Sequence, residues 1–183
     1  MSNFTFHETK IKDVYIIDVK IYGDNRGYFM ETYKEPDFKA AGLNYTFVQD
    51  NQSFCGKGVL RGLHFQKTYQ QAKLVRVMKG EVFDVVVDLR KDSETYGQWV
   101  GALLSEENHR QVMIPRGFAH GFMVVSDYAE FAYKCDEVYH PEDEGGIIWN
   151  DPDIHIEWPE VGDIVLSEKD KKLPGLLEAD IRL

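Results

Sequence analysis

Residues 58–73 have the sequence GVLRGLHFQKTYQQAK, and this stretch predicts both a strand and a site. Gly56 and Gly58 precede the run 59–65, in which apolar side chains alternate with small or polar ones, and a polar turn at 67–71 follows, which is typical of a β-strand that enters a hairpin. Strict alternation places Gly62 and His64 on one face and Arg61 on the other. For Arg61 and His64 to reach one pocket, the strand needs a bulge, and Gly62 is the easiest place for it.

Short apolar runs separated by glycine and proline turns occupy most of the remaining chain. Strands are expected at residues 13–21, 28–33, 45–51, 74–78, 81–89, 98–104, 111–114, 122–125 and 129–135. The main helix candidate is residues 35–41, with Pro36 near its start and Gly42 at its end. This pattern predicts an all-β jelly-roll sandwich or barrel with a few short peripheral helices.

The C-terminal part changes in composition from residue 139 onward, where prolines, acidic clusters and tryptophans accumulate. We expect a segment that wraps the sheets and contains one or two short helices. Residues 167–170 read SEKD, which has the spacing of a helix capping box. The purely structural interpretation of Asp170 is therefore that its carboxylate caps a helix.

Length and charge limit the classes of function. The chain has 183 residues and nothing that reads as an interdomain linker, so a single domain over residues 1–183 is expected. The formal net charge of −10 argues against nucleic acid or an anionic membrane as partner, since both favour basic surfaces. An anionic substrate must therefore be bound by a local cluster of basic residues.

Apolar runs and cysteines bear on cellular location. The longest apolar runs, such as residues 85–87 and 122–125, are far shorter than a membrane span, and the N-terminus has no apolar signal region. Cys55 and Cys135 are too few and too far apart for a disulfide framework or a zinc motif, so both are expected to be reduced. We therefore expect a cytoplasmic protein.

Several ordered blocks of sequence together resemble one known family. The blocks are DNRGYFME (24–31), QDN (49–51), GVLRGLHFQ (58–66), AKLV (72–75), FDVVVDLR (83–90), IPRGFAHGF (114–122), YK (133–134), YHP (139–141) and LSEKD (166–170). Over nearly the whole chain they resemble the dTDP-4-dehydrorhamnose 3,5-epimerase family, the cupin-like sugar-nucleotide epimerases of rhamnose biosynthesis. One block alone is a weak signal, but their number and order make chance an implausible explanation.

The resemblance implies a fold, a reaction and an assembly. The fold is a cupin-type β jelly roll, and the reaction converts dTDP-4-dehydro-6-deoxy-D-glucose to dTDP-4-dehydro-L-rhamnose by inverting C3 and C5, with no redox step and no cofactor. Protons on carbons next to the C4 ketone are acidified by it, so the enzyme needs a base, an acid on the opposite ring face and a positive group near the enolate oxygen. The resemblance also implies a homodimer.

The reaction is assigned to a small set of residues by this resemblance. His64 is the implied base, a task that suits an imidazole with an unperturbed pKa of about 6.5. Asp170 is similar to the family's partner of that histidine, and Tyr133 is similar to its proton donor. Lys73 is placed near the C4 oxygen as enolate stabiliser. The structural alternatives are a core histidine, a helix cap, a half-buried strand tyrosine and a strand-edge lysine.

Substrate binding is assigned to further residues by the same resemblance. Arg26, Arg61 and Lys169 are expected to neutralise the diphosphate, and Tyr139 to stack on thymine. Polar contacts to the sugar or base are expected from Glu31, Gln49, Asn51 and Glu144. Outside the resemblance, exposed Arg, Lys and Glu side chains are usually only solvated surface.

No metal site is predicted. Cupins often hold a metal through a His-x-His pair, a Glu and a later His, but here His64 is followed by Phe65 and Gln66. His120 is the only match to the later ligand, so the ligand set is incomplete. His120 is assigned instead to substrate contact or to support of the His64 region.

Two alternative functions are not excluded by the sequence. A related epimerase acting at only C3 or C5, or on another 4-keto sugar nucleotide, would use the same base and acid. A catalytically silent sugar-nucleotide-binding module is a different class, and it would be expected to lack some of His64, Lys73, Tyr133 and Asp170. All of these residues are present.

Overall fold

Antiparallel β-structure dominates the computed structural model, which describes residues 2–183. The strands are β1 (Phe4–Glu8), β2 (Tyr15–Val19), β3 (Ile21–Asp24), β4 (Gly27–Met30), β5 (Gln49–Gly56), β6 (Leu60–Gln66), β7 (Lys73–Asp88), β8 (Trp99–Ser105), β9 (Gln111–Ile114), β10 (Phe118–Cys135) and β11 (Glu144–Gly146). Helix α1 spans Glu35–Ala40, and short 3₁₀ helices span Pro141–Asp143 and Asp170–Lys172. Within the described range, no helix is long and apolar enough to cross a membrane.

The long strands β7 and β10 run antiparallel to each other and belong to both sheets of the fold. The first half of β7 pairs with β9 and its second half with β8, while β10 pairs with β6 near its start and with β5 near its end. One sheet therefore has the strand order β1-β2-β9-β7-β10-β5, and the other has the order β8-β7-β10-β6-β11. The predicted all-β jelly roll is confirmed.

The main core lies between these sheets. Val75 and Phe131 come from the first sheet, Val86 and Phe122 come from the second, and all are at most 5% exposed. The rings of Phe122 and Phe131 stack with their centroids 4.1 Å apart. Successive side chains of a strand point to opposite faces, so alternate residues of β7 and β10 meet in this layer. Full burial of each such side chain is worth about 1.5–3 kcal/mol.

Other segments of the chain cover the outer faces of the two sheets. Val85 on β7 faces away from the core and belongs to a cluster with Ile154 and Leu176 of the C-terminal segment. On the first sheet, Phe38 of α1 and Leu74 belong to a second outer cluster. The expectation that the C-terminal part wraps the sheets is confirmed, and this wrapping carries its 3₁₀ helix to the edge of the site.

Several predicted strand boundaries are wrong. Runs 74–78 and 81–89 form one strand, because the chain passes through Gly80 at φ +72° and remains paired with β10. Runs 122–125 and 129–135 likewise belong to the single strand β10, whose register shifts between them. The pairing tolerates these irregularities because each long strand has partners on both sides.

The N-terminal third differs from prediction in a similar way. The expected strand at 45–51 lies further along, at Gln49–Gly56, because Tyr45 and Phe47 pack with the α1 cluster on the outer face of the first sheet. The expected strand at 13–21 is divided between β2 and β3, and the one at 28–33 is shorter. Strand β1 has no counterpart among the predicted strands.

Candidate active site

A bulge in β6 brings Arg61 and His64 to the same side of the strand. His64 pairs with His120 and Arg61 pairs with Phe122, so three residue steps on β6 lie opposite two on β10. The extra residue reverses the alternation, and both side chains line one cavity. Gly62 lies at φ +126°, and a Cβ there would come 2.6 Å from the backbone of β10. The predicted bulge at Gly62 is confirmed.

This cavity opens between the two sheets and has a volume of about 460 Å³. Apolar rings from the core form part of its wall, and basic and acid-base side chains form another part. The members of the second group are Arg61, His64, Lys73, His120 and Tyr133. In a chain with a net charge of −10, this is the local basic cluster that an anionic substrate requires.

His64 forms a hydrogen-bonded pair with Asp170. The Nε2 atom of His64 lies 2.7 Å from Oδ1 of Asp170, whose side chain is almost fully buried. Because the carboxylate accepts the proton on Nε2, the neutral ring keeps its lone pair on Nδ1. The backbone N–H of Asp170 donates to Oγ of Ser167 at 3.0 Å, so its backbone and its carboxylate serve different partners. The 3₁₀ helix that begins at Asp170 has Lys169 as its N-cap residue and no side-chain cap.

Asp170 remains ionised in this setting. Burial raises the pKa of its carboxyl, but the hydrogen bond and the electrostatic interaction with His64, with smaller contributions from Ser167 and Gly62, lower it by more. The resulting pKa lies below the ordinary value of 3.8. A carboxylate of this kind holds the imidazole in one tautomer and stabilises the imidazolium that forms after proton uptake.

Lys73 stands at the start of β7, opposite Cys135 of β10. Burial lowers the pKa of its ammonium group, while Cys135, Glu144 and Asp84 act in the opposite direction. Among residues 2–183, no side-chain hydrogen bond contributes to the lowered pKa of Lys73. The ammonium group is therefore available to a developing oxyanion on a bound substrate.

Tyr133 lies on β10 and contributes to the same cavity wall. Burial raises the pKa of its phenol, with Cys135 and Glu144 acting in the same direction and Arg61 against them. The hydroxyl is therefore protonated at neutral pH and can act as a proton donor.

Asp84 is a buried carboxylate of the site that the sequence prediction does not include. Its Oδ2 atom lies 2.8 Å from Nε2 of His120, and both side chains are buried. Its Oδ1 atom is buried and has no hydrogen-bond partner among the described residues. The signal in the sequence is a single acidic residue inside the apolar run of β7, because a buried charge is costly unless it is paired or functional.

A second cavity of about 250 Å³ shares Asn51 and Tyr133 with the first. The remaining residues of its lining are Gln49, Gln71, Cys135, Tyr139 and Glu144. The hydroxyl of Tyr139 donates to Oε2 of Glu144 at 2.6 Å, and this hydrogen bond, with burial, raises the pKa of Tyr139 to about 12. Oε1 of Glu144 lies 3.9 Å from Nδ1 of His64, so the two cavities meet at that ring.

The carboxylate of Glu144 also accepts a hydrogen bond from the ammonium group of Lys169, which belongs to the C-terminal segment. Burial raises the pKa of Glu144, but its contacts with Lys169, Tyr139 and His64 lower it by more. The predicted binding residues Gln49, Asn51, Tyr139, Glu144 and Lys169 are thus brought together beside His64.

Arg26 and Glu31 are not brought to either cavity within one chain. Arg26 lies in the turn between β3 and β4, where its side chain is 85% exposed and pairs with Asp24. Glu31 accepts a hydrogen bond from Nδ2 of Asn3 at 2.7 Å. A single copy of the chain does not bring these residues to the cavities, and their contact with the substrate stays a prediction.

No group of three or more His, Cys, Asp or Glu side chains in residues 2–183 is arranged to hold a metal ion. His64 and His120 each point a ring nitrogen at a carboxylate, Asp170 and Asp84 respectively. The metal-free site remains a prediction.

The sequence matches a family model over residues 8–178, and the family is described as dTDP-4-dehydrorhamnose 3,5-epimerase. A protein of that name from Methanothermobacter thermautotrophicus is 53% identical over 185 residues, covering 100% of both chains.

Solved structures are similar over nearly the same length. A dTDP-6-deoxy-D-glucose-3,5-epimerase from Legionella pneumophila in complex with dTDP-4-keto-L-rhamnose has a TM-score of 0.94 and 50% identity, covering 96% of this chain and 94% of that one. A 3′-monoepimerase from Streptomyces bikiniensis in complex with dTDP-quinovose has a TM-score of 0.89 and 31% identity, with coverage of 93% and 87%.

Proposed function

Because this chain belongs to the dTDP-4-dehydrorhamnose 3,5-epimerase family, we propose that the cavity between its two sheets is the active site. The chain is an isomerase that converts dTDP-4-dehydro-6-deoxy-D-glucose to dTDP-4-dehydro-L-rhamnose. Its identity to the 3,5-epimerases from Methanothermobacter thermautotrophicus and Legionella pneumophila, 53% and 50%, exceeds its 31% identity to the monoepimerase. Inversion at both carbons is therefore favoured over inversion at one.

His64 is the base in this proposal. Its Nδ1 carries the lone pair because Nε2 is bonded to Asp170, and the ring lines the cavity. It removes the proton from C3 or C5 of the sugar, and the electron pair moves into the C4 carbonyl to form an enolate. Asp170 stabilises the imidazolium that results.

Lys73 and Tyr133 complete the chemistry. The ammonium group of Lys73 stabilises the negative charge on the C4 oxygen, where an ionic hydrogen bond in a cavity is stronger than in water. Tyr133 then donates its phenolic proton to the carbon from the opposite face of the ring, which inverts the centre. Both side chains line the cavity that contains His64.

The nucleotide is assigned to the second cavity and its rim. Tyr139 supplies an aromatic face for thymine, and Gln49, Asn51 and Glu144 supply hydrogen bonds to the base and sugars. Arg61 and Lys169 neutralise part of the diphosphate, although Lys169 must then share its charge with Glu144.

The observation that carries the proposal is the position of the His64–Asp170 pair on the same cavity as Lys73 and Tyr133. The experiment is solvent-deuterium incorporation into the substrate, followed by NMR. His64→Ala is expected to abolish incorporation at both C3 and C5, because one base serves both carbons. Exchange of either proton at a near wild-type rate would show that the base is another group.

A matched control for this experiment exists on β1. Nε2 of His7 lies 2.8 Å from Oδ2 of Asp18, so His7 is also a histidine paired with a carboxylate, but it is exposed and away from the cavity. His7→Ala is expected to incorporate deuterium at the wild-type rate. A loss as large as that of His64→Ala would mean that the effect is not specific to the proposed base.

The proposal extends to a homodimer. The β3–β4 hairpin exposes Tyr28 by 59% and Phe29 by 65%, and the β5–β10 edge exposes Phe54 by 66% and Tyr128 by 46%. Strand β5 has only β10 as a partner, so its other edge is free in the described chain. Pairing the hairpin of one subunit with this edge of the other would bury both apolar patches.

In such a dimer, Arg26 of one subunit reaches the substrate of the other. Arg26 is at the tip of the hairpin, and β5 carries Asn51 and Ser53 of the cavity wall. The same arrangement would bring Glu31, just after the hairpin, toward the partner's site. It thus accounts for two predicted binding residues that lie outside the cavity of their own chain.

A single domain and a cytoplasmic location are also part of the proposal. The family match runs from residue 8 to residue 178 without division, and the central core draws on strands from both sheets. Cys55 and Cys135 are both free and buried, which suits a reducing compartment.

A further inference from the structure

The side chain of Gln66 is buried, and both its amide nitrogen and its amide oxygen form hydrogen bonds with backbone atoms of two loops. It lies on β6, two residues after His64, and is 4% exposed. Its Nε2 donates to the carbonyl oxygens of Tyr69 at 2.5 Å and Val138 at 3.2 Å. Its Oε1 accepts from the backbone N–H of His140 at 2.6 Å. A flipped amide would put its oxygen against two carbonyls, so only this orientation fits.

Two of these three contacts lie directly on either side of Tyr139. The Val138 carbonyl belongs to the peptide group that precedes Tyr139, and the His140 N–H belongs to the one that follows it. The backbone N–H of Tyr139 itself donates to Oε1 of Gln49 at 2.9 Å. The backbone of Tyr139 is therefore held at three consecutive positions by glutamine side chains.

The loop that follows Gln66 reinforces the same segment. Oδ2 of Asp143 accepts hydrogen bonds from the backbone N–H groups of Thr68 and Tyr69, each at 2.8 Å. The ring of Tyr69 stacks on the ring of His140 with their centroids 4.0 Å apart. The catalytic strand and the segment around Tyr139 thus form one connected unit, and Gln66 is the buried link between them.

We propose that Gln66 is a positioning residue for nucleotide binding, which acts by holding the Tyr139 ring where it stacks on the base of the substrate. This rests on the proposed function, because it takes Tyr139 as the stacking residue for a pyrimidine nucleoside diphosphate. An aromatic ring fixed before binding loses less conformational freedom when the base arrives, so affinity is greater. None of the three hydrogen bonds of Gln66 goes to His64, Tyr133 or Lys73, so its loss should affect dTDP affinity more than turnover.

The test uses Gln66→Met, which keeps the length of the side chain and removes its three hydrogen bonds. The probe is dTDP, with binding measured by titration calorimetry and turnover measured at saturating substrate. We expect the Kd for dTDP to rise about tenfold, as for partial loss of one base-stacking contact, while kcat stays within about threefold. A Kd within about twofold of wild type would overturn the proposal.

Asn108→Leu is the matched control. The side chain of Asn108 also bonds to three backbone groups, those of Leu103, Ser105 and Arg110, but in the turn between β8 and β9. It is expected to lose stability without losing affinity for dTDP. An equal loss of affinity in both variants would mean that general destabilisation causes it, which overturns a specific effect of Gln66. If Gln66→Met does not fold, Gln66→Asn, one methylene shorter, takes its place in every arm.

A double-mutant cycle with Tyr139→Ala tests whether Gln66 acts through Tyr139. When the ring is absent, loss of Gln66 should have little further effect on the Kd for dTDP, so the two losses are not additive. Full additivity overturns the proposed route. Failure of the wild-type protein to bind dTDP overturns the proposed function as well, whereas wild-type binding with an unaffected Gln66→Met variant overturns only the positioning effect.

Discussion

Asp170 Oδ1 lies 2.7 Å from His64 Nε2, although 106 residues separate the two in the chain. His64 is fixed by β6, which pairs with β10 and β11 in the second sheet, and Asp170 begins a 3₁₀ helix in the segment that wraps that sheet. The backbone N–H of Asp170 is bonded to Ser167 and its carboxylate to His64, so the fold of the C-terminal segment sets the tautomer of the imidazole.

Replacing this carboxylate should impair catalysis much more than binding. In Asp170→Asn, the side-chain NH₂ can donate to Nε2, which favours the tautomer with its proton on Nδ1 and removes the lone pair of the base. We expect kcat to fall about 10²- to 10⁴-fold, while the Kd for dTDP changes by less than about threefold. Steady-state kinetics and calorimetry measure the two effects. Asp18→Asn, in the exposed His7–Asp18 pair, serves as the control.

Removal of the phenolic proton of Tyr133 should separate exchange from inversion. Tyr133→Phe keeps the ring in the cavity wall and retains His64, so deuterium exchange should continue while inverted product forms about 10²-fold more slowly. NMR of the sugar reports both quantities. Wild-type rates of inversion would rule out Tyr133 as the acid, and Tyr96→Phe, in the exposed loop before β8, should behave as wild type.

Stability at acid pH should depend on Asp88. Burial raises the pKa of this carboxyl, but hydrogen bonds from Arg90, Ser93 and Thr95 lower it to about 2, against 3.8 for an unperturbed group. A depressed pKa adds stability that is present above the unfolded pKa and is lost as the pH falls through the folded pKa. The full contribution is about 2 kcal/mol, of which about half is lost between pH 5 and pH 3.

Asp88→Asn removes this dependence. Urea unfolding at pH 5 and pH 3 should show that the wild type loses more unfolding free energy between the two pH values than the variant does, by about 1 kcal/mol. Equal losses would mean that other carboxylates account for the acid sensitivity. Asp92→Asn, an exposed neighbour in the same loop, should retain the wild-type pH dependence.

Sharing of the site between subunits predicts complementation. Arg26→Ala and His64→Ala should each be nearly inactive, the first for want of a diphosphate contact and the second for want of a base. In a mixed dimer, one site receives both defects and the other receives neither, so mixing the variants should restore up to about a quarter of wild-type activity for random pairing. Light scattering establishes the dimer, and a fully active monomer would refute the shared site.

The strand content was predictable from local sequence, and the site residues were implied by the family resemblance. The alternation around Leu60–Gln66 and the glycines that flank it indicate a strand wherever they occur, and the need for a bulge follows from placing Arg61 and His64 in one pocket. Strand ends were harder to predict, because β7 continues through Gly80 and β10 through residues 125–128 only since the pairing of the two strands resumes, with a shifted register, beyond the interruption.

By itself the sequence determined the local preferences: which segments extend, where the chain can bulge, and which acid-base groups are available. The family resemblance implied that Asp170 is the partner of His64, but only the tertiary structure decided how the groups meet. Asp84 pairs with His120, 36 positions away, and Asp170 contacts His64, 106 positions away. Gln66 forms hydrogen bonds with the segment around Tyr139, at least 72 positions away. Such contacts depend on sheet register and on how the C-terminal segment wraps, and no local pattern records either, because both are set by burial of the whole core.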